Sequence, residues 1–93
     1  MAEQLIFRVQ ALQRMFERNV SVEDVKMVVS NGETIEGYPE DKPYPSRLVL
    51  GWSGSRPLHV VVAHNLRDNE IVVITVYEPD LELWEADYRR RRP

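Results

Sequence analysis

The spacing of apolar residues changes at Gly32, and that change limits the chain to an order of helices first and strands after. Before it, Leu5, Val9, Leu12 and Phe16 recur at helical spacing, with Ile6, Ala11 and Met15 widening the face. The pattern predicts a helix over about 4–18 with that face buried. "VSVEDV" then supplies a helix start. The Ser21 side chain can accept from the amide of Asp24 while Asp24 returns a bond to the amide of Ser21, an acidic capping box, and Glu23 and Asp24 suit the positive end of the helix dipole. Val22, Val25, Val28 and Val29 form the stripe of this second helix, over about 22–31, and Asn31-Gly32 should end it in a left-handed cap.

After Gly32 the period is two. Glu33 to Tyr38 reads as a strand, followed by a loop that three prolines keep irregular. The runs "RLVLGWS", "RPLHVVVAHN" and "EIVVITVYEP" give strands over about 47–53, 56–65 and 69–78, with turns near Gly54-Ser55 and Asp68-Asn69. Both faces of the 56–65 run are largely apolar, which places it centrally. Pro79 stops the last strand. "DLELWEADYRRRR" predicts a short helical segment over about 80–89, with Leu81 and Trp84 or Leu83 docking back. The expected fold class is therefore α+β: two N-terminal helices, a four-stranded antiparallel meander sheet and a short C-terminal helix, in a single domain over residues 1–93.

Composition narrows the function classes. Hydrophobic residues at 43% and charged residues at 29% are globular rather than disordered usage. The chain has no cysteine, so disulfides and thiolate metal sites are excluded. No uncharged run approaches the roughly 18 residues of a membrane helix, and the expectation is a cytoplasmic protein without membrane association. The net charge is −3, but Arg89 to Arg92 supply four of the twelve basic residues. The rest sets eight basic against fifteen acidic residues, or −7. Such a body does not suit broad, nonspecific nucleic-acid binding, whose affinity comes from phosphate neutralisation. Any RNA contact must be local, and the arginine run reads as a solvated tail or a grip on RNA or an acidic partner.

"QALQRMFER", "VSVEDVKMVVSNGETIEGY", "RLVLGWSGSRPLHVVVAHN" and "IVVITVYEPD" together resemble the small bacterial domain family of unknown function DUF4258. Ala11, Arg14, Met15, Arg18, Gly32, Glu33, Leu58, His59, Val60, Thr75 and Tyr77 carry the resemblance. Gln10 stands where the family commonly has histidine, and an amide cannot shuttle a proton. The resemblance implies a likeness to the RelE-like toxin fold and to toxins partnered by small antitoxin proteins.

On that implication, a metal-independent ribonuclease acting on free or ribosome-bound RNA would use His59 as base or acid. Arg14 and Arg18 would be phosphate clamps, and Tyr77 a proton donor or orienting group. No cofactor or metal is called for. His59 and His64, five apart on one strand, point to opposite faces. The alternative is a noncatalytic protein-interaction module. In it His59 is a hydrogen-bonded core residue, Arg14 and Arg18 form ion pairs with Glu17, Glu33 or Glu36, and an edge strand or the proline loop meets a partner or a second copy. The two readings divide on whether the arginines and His59 converge in one cleft.

Overall fold

The computed structural model describes residues 4–93. The order of elements is β1 (Gln4–Phe7), α1 (Val9–Glu17), α2 (Val22–Asn31), β2 (Glu33–Tyr38), β3 (Ser46–Ser53), β4 (Arg56–Asn65) and β5 (Glu70–Tyr77). The strands make one five-stranded sheet in the order β1-β5-β4-β3-β2. Strands β2 to β5 form the expected antiparallel meander. Strand β1 pairs with β5 in parallel, Gln4 opposite Glu70 and Phe7 opposite Val73. The sheet is therefore mixed and five-stranded, which corrects the four-stranded antiparallel expectation.

The error lies in residues 4–7, read as the first turn of a helix. A short apolar run fits either period, and here Leu5 and Phe7 turn inward on the core as strand residues. Arg8, at φ −69° and ψ 150°, is still extended, and the helix starts only at Val9. The predicted buried face of α1 is kept only at the residues expected to widen it. Ala11 and Met15 are buried, whereas Val9, Leu12 and Phe16 face solvent, Val9 at 70% and Phe16 at 89% exposure. Once Leu5 belongs to a strand, nothing holds the 5-9-12-16 line toward the sheet.

Both helix ends are closed by local chemistry. Asn19, in the left-handed region at φ 56°, follows the last turn of α1. Its amide donates to the Phe16 carbonyl at 3.3 Å, and the amide of Val20 donates to the Met15 carbonyl at 2.8 Å. This is a Schellman motif, with Val20 buried beneath it. The Ser21–Asp24 capping box forms as expected, with both bonds at 3.0 Å. The amide of Ser21 and the hydroxyls of Ser53 and Ser21 hold the Asp24 carboxyl below its usual range. Gly32 instead ends α2 in extended geometry, φ −77° and ψ 176°. Its need for glycine is steric: a Cβ there would fall 2.4 Å from the Val28 carbonyl oxygen and 2.6 Å from that of Leu50.

The helices cover one face of the sheet, packing Ala11, Met15, Val25 and Val28 on Val49, Leu58, Val60, Val62, Val73 and Val76. The predicted C-terminal helix does not form. Residues 79–93 make turns joined by a bridge between Trp84 and Arg91. The amides of Leu83 and Trp84 both donate to the Asp80 carbonyl, and that of Glu85 donates to the carbonyl of Arg90. Only Trp84 of the three expected anchors is buried, while Leu81 and Leu83 remain exposed. One anchor and a left-handed Tyr88 (φ 60°) favour a looped strap over a helix, which would need a whole apolar face to bury. No helix among the described residues is long and apolar enough to cross a membrane.

The observed face of α1 gives a direct test by urea unfolding. Met15→Ala should cost about 2–5 kcal/mol through loss of a buried side chain. Phe16→Ser should stay within about 0.5 kcal/mol, as surface substitutions do.

Candidate functional site

The face of the sheet opposite the helices carries the polar motif residues. Side chains alternate along β4, so His59 and Val61 point away from the helices when Leu58, Val60 and Val62 point toward them. On β5 a bulge intervenes. Val62 pairs with Val73 but Val61 pairs with Thr75, so Ile74 is an extra residue. The bulge lets Val73 and Val76 both reach the helical core while Thr75 and Tyr77 lie with His59. His59 and Tyr77 are direct cross-strand partners.

His59 is fully enclosed, at 0% exposure. Its Nε2 lies 2.8 Å from the Tyr88 carbonyl oxygen and its Nδ1 3.2 Å from the Tyr77 hydroxyl. A carbonyl only accepts, so Nε2 carries the proton, and Tyr77 donates its hydroxyl to the unprotonated Nδ1. The Trp84 ring stands edge-on to the imidazole at 4.5 Å and the Tyr77 ring at 5.2 Å. Burial pushes the His59 pKa below its ordinary 6.5, against the opposing pull of the Tyr88 carbonyl. Burial likewise raises the Tyr77 hydroxyl. The imidazole is thus a neutral brace with both nitrogens engaged.

Beside it lie residues that the sequence did not place with His59. The Tyr38 hydroxyl donates to the Glu36 carboxylate, and that bond pushes the phenol up to about 12. The Arg91 guanidinium stacks over Trp84 at 4.9 Å, and its charge, with that of Glu36, acts on both His59 and Tyr77. Glu36 and Tyr38 could have been placed here only with the β2 bulge between Thr34 and Glu36 in hand. Arg91 belongs to a segment whose looped path has no periodic signal.

Of the expected catalytic set, His59 and Tyr77 are brought together. Arg14 and Arg18 are exposed on α1, which packs on the other side of the sheet. Glu33 and Glu36, the partners considered for them, bond to Arg89 and Tyr38 instead. The cation that sequence reasoning missed is Arg56, which donates to the carbonyls of Arg18 and Asn19 and pairs with Glu78. It closes the end of α1 electrostatically. His64 is half-buried and accepts from Arg47 Nε at 2.8 Å. It faces away from His59. Among the described residues no group of three or more histidines or carboxylates is arranged to hold a metal ion.

His59 and Tyr77 both lie in a stretch that a comparison with known families matches. Residues 7–78 match the family described as Domain of unknown function (DUF4258). The chain belongs to the DUF4258 family. Its helices, its sheet from Phe7 onward and the His59–Tyr77 pair fall within the matched residues. The strap that encloses them, residues 79–93, lies beyond. No curated protein and no solved structure matches the chain.

The brace makes stability depend on pH in a defined direction. With the folded pKa of His59 below 6.5, the unfolded state binds the extra proton, so stability is complete above about 6.5 and falls as pH drops through the window beneath it. The lowered Asp24 carboxyl adds its own loss only further down, in the carboxylate range. His59→Gln should lose about 1–3 kcal/mol near pH 7.5. It should also flatten the slope between pH 6.5 and 5 in denaturant titrations at stepped pH.

Proposed function

We propose that this DUF4258 chain is a noncatalytic protein-interaction module in which the family motif residues hold the fold together. The observation that carries this reading is the enclosure of His59, whose two ring nitrogens are engaged by Tyr77 and Tyr88. A general base must reach solvent or substrate to exchange its proton, and this ring reaches neither. The exposed apolar line of α1 supports the same reading. Val9, Leu12 and Phe16 lie along about two turns of one helix face, an apolar patch of the kind that marks an interaction site.

The ribonuclease reading asks more of the molecule. Arg14 and Arg18 would have to share a phosphate with His59 and Tyr77 from the opposite side of the sheet, or residues 79–93 would have to lift away. A toxin with an antitoxin partner remains the competing assignment, and the two separate experimentally. Purified protein should leave both free and ribosome-bound RNA uncut, and its expression should not slow growth. RNA cleavage that Tyr77→Phe abolishes while the fold persists would overturn the proposal. Replacing Leu12 and Phe16 together by glutamate should abolish association with a partner or with a second copy, read by sedimentation, with stability changed by no more than about 1 kcal/mol.

A further inference from the structure

Asn31 and Gly32 join α2 to β2, and they are the only asparagine-glycine pair in the chain. In an unstructured peptide such a pair is chemically unstable. Glycine has no Cβ to shield or restrain its nitrogen, so that nitrogen can reach the carboxamide of the preceding asparagine and close a five-membered ring.

The fold holds the two reacting atoms apart. The Gly32 amide donates to the Val28 carbonyl at 2.7 Å and closes the last turn of α2, which occupies the attacking nitrogen. Asn31 is itself helical, and its Nδ2 donates to Met27 Sδ at 3.0 Å, so the carboxamide lies back along the preceding turn. Gly32 also has little room to swing. The position of a Cβ there lies 2.6 Å from the Leu50 carbonyl oxygen and 2.7 Å from Cγ1 of Val49.

These restraints sit at the rim of the molecule. Asn31 and Met27 are both exposed, and the final turn of a helix opens at far less cost than the whole chain. We infer that Asn31 is a site of spontaneous deamidation, gated by opening of the last turn of α2 and not by unfolding of the chain. When the bond from Gly32 to Val28 breaks, the Gly32 nitrogen gives up its proton to hydroxide and attacks Cγ of Asn31. The new C–N bond closes a succinimide, and the bond from Cγ to Nδ2 breaks as Nδ2 takes a proton and leaves as ammonia. Water then opens the ring at either carbonyl, leaving aspartate or isoaspartate.

Either product alters the junction. A carboxylate replaces the amide at the C-terminal end of α2, where the helix dipole disfavours negative charge, and two residues from it stands Glu33. Isoaspartate also lengthens the main chain by one carbon just before the closely packed Gly32. The inference is independent of what the chain binds.

The full chain and a capped peptide of residues 29–34 are incubated side by side in mildly alkaline buffer. Peptide mapping by mass spectrometry follows conversion at Asn31, and NMR follows exchange of the Gly32 amide in the same buffer. Both processes draw on one open population, so folding should slow the conversion by the same factor as the exchange, to within about threefold. Urea too dilute to unfold the chain should leave the rate unchanged. Asn31→Gln should abolish the conversion with the unfolding midpoint kept, and the converted chain should unfold at lower urea. The inference is overturned if the folded chain converts as fast as the peptide, or far more slowly than Gly32 exchange allows. It is equally overturned if the rate rises with urea in step with global unfolding, or if conversion falls at Asn19, Asn65 or Asn69 instead.

Discussion

The imidazole of His59 stands between two parts of the chain that no regular element joins. Tyr77 donates to it from within the sheet, and it donates in turn to the Tyr88 carbonyl of the strap. A buried ring with one nitrogen unmatched would cost the desolvation of a polar group, so each bond makes the other necessary. Around that pair the strap gathers its remaining contacts: Trp84 against the ring, Tyr88 edge-on to Trp52, Arg89 on Glu33 and Arg91 over Trp84. With one face of the sheet under the helices and this end of the other under the strap, β4 is apolar on both sides. Its buried run from Leu58 to Val60 reflects that position.

Local chemistry was readable wherever a residue acts on its own neighbours. Ser21 and Asp24 announce the start of α2, the valines of that helix announce its buried face, and the alternating runs announce β2 to β5. Strand β1 was not readable, because its pairing joins Gln4 to Glu70 and no turn residue links them. Three apolar residues, Leu5, Ile6 and Phe7, then attached themselves to the following helix and drew Val9, Leu12 and Phe16 onto its expected buried side. The strap failed for a related reason: its structure comes from one tryptophan and a carbonyl meeting a distant histidine, which leaves no period in "DLELWEADY".

The candidate site divides along the same line. His59 and Tyr77 could be named from their strands, and their pairing follows from an antiparallel register. Their chemical character could not. A histidine in a central strand is either a proton carrier or a structural donor according to what covers it, and the cover here is a segment without recognisable pattern. Arg14 and Arg18 show the converse. Their spacing along α1 suits a phosphate fork, but only the sheet decides which side of the molecule α1 occupies. Glu36 and Tyr38 were hidden by a bulge that shifts the alternation of β2 after Thr34.

The bulge at Ile74 has a wider meaning for how this sequence can vary. It changes the parity of β5 midway, so the valines on both sides of it serve one core while Tyr77 still arrives opposite His59. Ile74 is thus a residue that the pairing with β4 does not use. Deleting Ile74 would remove the bulge and leave Val73, Thr75, Val76 and Tyr77 in plain alternation, with Tyr77 still opposite His59. The strand can therefore lose one residue at this point without exchanging its enclosed polar pair for apolar packing.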